Sequence, residues 1–253
     1  MTDTNFDSRL LRFEKNVYAH DKGRIRLTLI EEDLQEFFPL FQGGGLKVLD
    51  AGGGAGRFSR LCAHRGHKTI LCDISAEMLA LAKRENEQTG LQDKITLLLL
   101  GLHDQELAAH APFDLIALHG VAEWMAEPAQ AIAYACSLVR PGGVLSLLVF
   151  NRDKLLLKEG INGMLLSSAT NTAKPRTNLT PPGGLSPRTV RDLLGEQDGI
   201  LLLQSGIRVF NGFFREITPA LGPEEWLAQE RLYYRQEPFS GLGEHSHFVW
   251  QRH

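Results

Sequence analysis

Between Lys47 and Phe150 short apolar runs alternate with amphipathic stretches, and this alternation narrows the fold more than any other feature of the chain. KVLDA, KTILCDI, KITLLLL, FDLIALHG and GGVLSLLVF each read as a strand, and helical spacing separates them. Strands that are apolar throughout must be covered on both faces, which is the condition of a parallel sheet. Right-handed crossovers then wind the chain to both sides of it. RFSRLCAHRG and SAEMLALAKRENEQTG carry two of the helices, the second opened by Ser75 as N-cap. Later, the strands GILLLQSGIRVF and HSHFVWQRH bracket the helix EEWLAQERLYYRQ and are expected to pair antiparallel at one edge. The predicted fold is α/β, a doubly wound, mostly parallel seven-stranded sheet with an antiparallel edge.

Residues 151–187 break the rhythm, and SSATNTAKPRTNLTPPGGLSP within them is rich in Pro, Gly, Ser, Thr and Asn. A long loop or lid is expected there, either a plain connector or a segment that covers a substrate. The chain of 253 residues is 43% hydrophobic and 23% charged, an ordinary globular balance. A net charge of -3 excludes a protein coated in basic residues but leaves room for a local basic face. Cys62, Cys72 and Cys136 have neither metal-type spacing nor an even count, so a reducing compartment and no metal are expected. The start, MTDTNFDSRL, lacks the apolar core of a signal peptide, and runs such as LSLLVF are too short to span a membrane. A cytoplasmic protein is expected.

After the first strand come Gly52, Gly53, Gly54 and Gly56. Such a turn lets backbone N–H groups approach a ligand at a helix N-terminus. The dinucleotide pattern GxGxxG does not fit, because its third glycine would fall on Arg57 or Ser59. D-x-G-x-G-x-G does fit, from Asp50 to Gly56. That pattern resembles the S-adenosylmethionine (SAM) methyltransferases of the Rossmann-like class. Asp50 suits the cationic amino-acid portion of such a cofactor. Asp73, at the end of the second strand, suits its ribose hydroxyls or else caps the helix beside Ser75. Leu102 and His103 in GLHD could flank the adenine, and His119 ends the fourth strand at the ligand-binding crevice. Each histidine has a plainer reading, as a solvent-facing, capping or core residue.

The chain as a whole resembles one family, the bacterial tRNA 5-carboxymethoxyuridine methyltransferases. The resemblance runs through NFD at Asn5–Asp7, then Phe13, Asn16 and Tyr18, KGRIR at Lys22–Arg26, VLDAGGGAG, GH, ILCDIS, HGVAEW and RPGGVLSL. GIRVF, Arg215–Glu216 and RQEP at Arg235–Pro238 complete it. KGxxR, GxRVF and RQEP are its specific part. It implies a class I methyltransferase fold and SAM-dependent methylation of the 5-carboxymethoxyuridine carboxylate at tRNA wobble position 34. It implies that Arg26 contacts the SAM carboxylate and that Gly52, Gly53, Asp73, Ile74, Leu102, His103 and His119 line the cofactor site. Gly54 belongs to the same turn. Leu102–His103 departs from the family's Ala-Gln pair, at contacts made by backbone or van der Waals packing.

One SAM-dependent domain, 1–253, is expected. It divides into a helical cover at 1–45, the SAM-binding core at 46–150, the lid at 151–187 and a C-terminal substrate part at 188–253. A carboxylate nucleophile is ionised at neutral pH and needs no general base. Arg208 and Arg235, with Arg215 behind them, are candidates to position it by charge-assisted hydrogen bonds. Trp124, Tyr233 or Tyr234 could stack on a splayed anticodon base, or simply pack in the core. Lys174, Arg176, Arg188, Arg191 and Arg231 are candidates for the tRNA backbone around the anticodon. Two other functions fit the sequence less well, a methyltransferase of a small carboxylate or quinone precursor and a non-catalytic SAM- or tRNA-binding partner.

Overall fold

The computed structural model describes residues 21–163, 184–214 and 221–253. A seven-stranded sheet forms its centre. The strands are β1 (Lys47–Ala51), β2 (Lys68–Cys72), β3 (Ile95–Leu98), β4 (Phe113–His119), β5 (Val139–Phe150), β6 (Gly199–Ile207) and β7 (His245–Arg252). Their order across the sheet is β3-β2-β1-β4-β5-β7-β6. The first five pair in parallel, and β7 runs antiparallel to both β5 and β6. The strand order reverses beside β1, so the carboxyl ends of β1 and β4 flank the crevice of an open α/β sheet.

Helices cover both faces because both faces are apolar. On one side α1 (Asp21–Phe37), α2 (Arg57–His64) and α9 (Pro223–Tyr233) pack on Val48, Leu115, Ala117, Val144, Leu148 and Val249. On the other, α5 (Pro128–Leu138) and α7 (Pro187–Gly195) pack on Leu49, Ile116, Leu118, Leu145, Leu147 and Trp250. The short α4 (Gln105–Ala108) adds Leu107 to that layer. α3 (Ala76–Gln88) closes a smaller cluster over Leu71 and Ile95. Ser75 caps α3 as expected, its hydroxyl oxygen accepting from Met78 N at 3.1 Å.

The segment expected to be a loop from residue 151 is a helix at first. α6 (Arg152–Ile161) is capped by Asn151, whose Oδ1 accepts from Asp153 N at 3.0 Å and Lys154 N at 3.2 Å. Residues 164–183 of the expected lid lie outside the described residues. β6 stops at Ile207, two residues into GIRVF, because Arg208 turns the chain with φ 62. The five-residue α8 (Phe210–Phe214) follows. No helix among the described residues is long and apolar enough to cross a membrane.

Candidate active site

β1 delivers Asp50 and then the glycine turn, and Gly56 opens α2 with φ 76. Gly52 N and Gly53 N both donate to Cys72 O, at 2.8 and 3.3 Å, tying the turn to the end of β2. The glycines are forced by what lies around them. A Cβ on Gly53 would stand 2.6 Å from Asp50 Oδ2, and one on Gly52 would stand 2.5 Å from Val121 Cγ2. Asp50 does not face the crevice as an open anion, contrary to expectation. It is 2% exposed, and its Oδ2 accepts from Ser59 N at 3.0 Å and Ser59 Oγ at 2.6 Å. Burial pushes its carboxyl up to about 6. Asp50 therefore holds the turn from beneath.

Asp73 bridges two loops. Its Oδ2 accepts from Gly54 N at 2.9 Å and its Oδ1 from Ser75 N at 2.8 Å. The local capping role is thus real. It leaves acceptor capacity, since an ionised carboxylate has about four lone-pair sites. Beside it Ile74 is 40% exposed, and a Cβ on Gly101 would lie 3.6 Å from Ile74 Cγ2. Leu102 sends its side chain into the core, 6% exposed, so the stretch presents backbone to the crevice. His103 is exposed, its ring 4.9 Å from that of Tyr134.

His119 ends β4 next to the turn, its ring 4.7 Å from Phe58 and its Nε2 2.8 Å from Ser146 Oγ. Burial pushes its pKa well below 6.5, and Arg26 pushes the same way. It is neutral at pH 7. Arg26, on α1, also acts on Glu123 and His245, so its charge lies near all three groups.

Arg208, a candidate from the sequence, belongs to a second set of groups whose other members the sequence reading missed. Arg208 Nη2 and Lys154 Nζ converge on Glu244 Oε2, at 3.2 and 3.3 Å. Arg208 Nε donates to Asn211 Oδ1 at 2.9 Å, and Lys154 Nζ to Gly212 O at 3.3 Å. Both cations are buried, at 2% exposure for Lys154 and 5% for Arg208. Burial alone would raise Glu244, but the charges of Arg208 and Lys154 outweigh it and hold the carboxyl at about 2. His245 is pushed well below 6.5, by burial first and then by Arg26 against the opposing Glu244. Arg208 and Lys154 add to that push, so the surroundings are positive. Glu123, in the HGVAEW stretch, is nine-tenths buried, with Oε1 accepting from Phe150 N at 2.9 Å. Burial lifts its carboxyl to about 7.

Other expected residues lie elsewhere. Arg235 does not reach the crevice, because Asp33 and Glu36 of α1 hold its guanidinium, Nε donating to Asp33 Oδ1 at 2.8 Å. Arg231 is likewise paired, with Glu32. Tyr234 is buried in the α1–α9 layer with Arg235 over its ring, and Tyr233 packs against Phe239 and Phe210. Trp124 is partly buried. Arg188 and Arg191 are exposed on α7, while Lys174, Arg176 and Arg215 lie outside the described residues. Among the described residues no cluster of His, Cys, Asp or Glu is placed to hold a metal.

With this geometry, similarity to known proteins becomes decisive. Residues 49–147 match the family described as a methyltransferase domain. The chain is 35% identical to the tRNA 5-carboxymethoxyuridine methyltransferase of Escherichia coli (strain K12), over 98% of this chain and 95% of that one. The chain belongs to the tRNA 5-carboxymethoxyuridine methyltransferase family. Similarity to the ubiquinone biosynthesis O-methyltransferase of Psychrobacter cryohalolentis reaches 33% but covers only 53% of this chain and 55% of that one. The magnesium protoporphyrin IX methyltransferase of Synechocystis PCC 6803, solved with bound SAH, shares the fold at TM-score 0.63 and 17% identity. That comparison covers 98% of this chain and 96% of the other.

As a member of the tRNA 5-carboxymethoxyuridine methyltransferase family, the protein is a SAM-dependent enzyme with a class I methyltransferase fold. Its crevice fits that cofactor. The turn is one where added Cβ atoms would collide, a carboxylate stands at the end of β2, and an apolar Ile74 is left open beside it.

Proposed function

We propose that this protein converts 5-carboxymethoxyuridine at the wobble position of tRNA to its methyl ester. The observation that carries the proposal is the match of 35% identity along 98% of the chain to a relative named for that nucleoside. Arg26, Gly52, Gly53, Gly54, Asp73, Ile74, Leu102, His103 and His119 are assigned to the SAM site, with Asp50 as the support under the turn. When bound, SAM supplies a methyl group on a sulfonium sulfur.

The rest is positioning. The substrate carboxylate is already ionised at neutral pH, so the protein has no proton to remove. Arg208 and Lys154, from the loop after β6 and from α6, form a positive region at the same end of the sheet as His119. The field of these buried cations draws the substrate carboxylate to that end of the sheet, with one of its oxygens left to point at the methyl group. Excluding water and fixing that line of attack lowers the barrier by several kcal/mol without general acid–base help. Glu244 shares both cations and keeps them from gripping the nucleophile too tightly. The expected partner is the anticodon arm of tRNA, approached by the exposed Arg188 and Arg191.

Mass spectrometry of tRNA nucleosides from cells lacking this gene tests the reading. The methyl ester is expected to vanish and the free acid to accumulate. Unchanged methyl ester would remove the proposal in favour of a small-carboxylate or quinone-precursor substrate.

A further inference from the structure

A chain of buried polar groups crosses the sheet from α1 to the crevice, and the methyl-transfer reading does not use it. Asp33 on α1 is fully buried under β7. Its Oδ2 lies 2.7 Å from His247 Nδ1 and accepts from Ser205 Oγ at 2.5 Å. His247 Nε2 lies 2.8 Å from Ser146 Oγ, which in turn lies 2.8 Å from His119 Nε2. His119, Ser146 and His247 sit on three adjacent strands, where Leu148 of β5 pairs with both His119 of β4 and His247 of β7. His247 and Ser146 are fully buried. Four polar groups sunk in an apolar layer are costly unless all are satisfied, and here each has the next as its partner.

With both histidines as neutral imidazoles, the donor–acceptor inventory sets the direction of the chain. Arg235 is donor-only, and it donates to Asp33 Oδ1. Asp33, ionised, is acceptor-only, so His247 Nδ1 must carry a proton and donate. Neutral His247 then has a bare Nε2, which accepts the proton of Ser146 Oγ–H. The Ser146 oxygen is left as acceptor, and His119 must donate to it from Nε2. Neutral His119 thereby keeps Nδ1 unprotonated. Among the described residues Nδ1 has no hydrogen-bond partner, and it is not sealed from solvent.

We propose that Asp33, His247 and Ser146 form a relay that fixes the tautomer of His119 and presents its Nδ1 as a hydrogen-bond acceptor to an N–H or O–H donor of bound SAM. The proposal rests on His119 lining the cofactor site, and not on the identity of the methyl acceptor. Asp33, His247 and Ser146 are positioning residues, since none touches the crevice. Arg235 anchors the far end.

The relay predicts an outcome that a packing role does not. In Asp33→Asn the amide oxygen must turn to Arg235, because a guanidinium cannot accept, so the NH2 group faces His247. His247 must then accept at Nδ1 and donate from Nε2, Ser146 must donate to His119, and the proton of His119 moves to Nδ1. Replacing Asp by Asn in an Asp–His pair reverses a tautomer in this way elsewhere. Ser146→Ala cuts the chain and leaves His119 free to adopt either tautomer.

The test is nitrogen NMR of the full chain labelled at its 9 histidines, assigned with His119→Gln and His247→Gln, alongside calorimetry with SAM. The free wild-type protein should show His119 protonated at Nε2 alone, and Asp33→Asn should show it protonated at Nδ1. SAM affinity should fall about tenfold or more in Asp33→Asn, where a donor now faces a donor, and by less in Ser146→Ala. A packing role gives the opposite order, because Ser146 touches His119 and Asp33 does not. His119 protonated at Nδ1 in the wild type, an unchanged tautomer in Asp33→Asn, or a larger loss in Ser146→Ala would each overturn the relay.

Discussion

At the scale of single residues, position and partner decide what a charged group is for. Asp73 keeps two backbone amides and still faces the crevice, so Asp73→Ala should weaken SAM binding by about tenfold or more. Calorimetry that finds wild-type affinity would remove Asp73 from the ribose role. Lys154→Met removes one of the two buried cations on Glu244 and keeps the length of the side chain. It should raise KM for the carboxylate substrate about tenfold or more and leave SAM affinity near wild type. Equal losses in both would place Lys154 in the scaffold. Asp73 was legible in the sequence because it ends a strand next to a glycine pattern. Lys154 and Glu244 were not, since they lie 90 residues apart and no spacing rule joins them. Arg235 misled for the same reason, because Asp33, which claims it, lies 202 residues away.

At the scale of elements, the turn between β1 and α2 is set as much by what supports it as by what it binds. Asp50 is pinned by Ser59 and cannot retreat from a new methyl group on Gly53. Gly53→Ala should therefore lower Tm by several degrees and abolish SAM binding, measured by thermal unfolding with and without SAM. A variant as stable as wild type that still binds SAM would mean that the turn has slack. The five parallel strands were legible because each is apolar on both faces, a pattern that few other elements share. The helix α6 was harder to see. Its own sequence, RDKLLLKEGI, is amphipathic, but it runs into a stretch dominated by Pro, Gly, Ser and Thr. The kink at Arg208 was invisible too, since nothing in GIRVF marks a non-glycine residue at φ 62.

At the scale of the whole molecule, buried carboxyls with raised pKa values and buried histidines with lowered ones pull stability in opposite directions with pH. Glu123 rises from 4.5 to about 7 through burial, so the folded state binds its proton more tightly than the unfolded state does. Its stabilising contribution is complete below the unfolded pKa and is lost as pH rises through about 7. Glu123→Gln removes that dependence. The variant should gain stability relative to wild type between pH 5 and pH 8, by at most about 3 kcal/mol. Denaturant unfolding at the two pH values measures it, and a constant difference would show that Glu123 is not held neutral by burial. His119 and His245 work the other way, their lowered pKa values costing stability as pH falls below about 6.5.

The same scale joins fold to function. One end of the sheet carries the glycine turn, His119 and the buried cations Lys154 and Arg208, and it is there that the proposed anionic substrate meets SAM. Purified protein, SAM and tRNA bearing 5-carboxymethoxyuridine, followed by nucleoside mass spectrometry, test that convergence most directly. The methyl ester should form on that tRNA and not on the same tRNA with unmodified uridine. No ester on tRNA, together with methylation of a free small carboxylic acid under the same conditions, would contradict it.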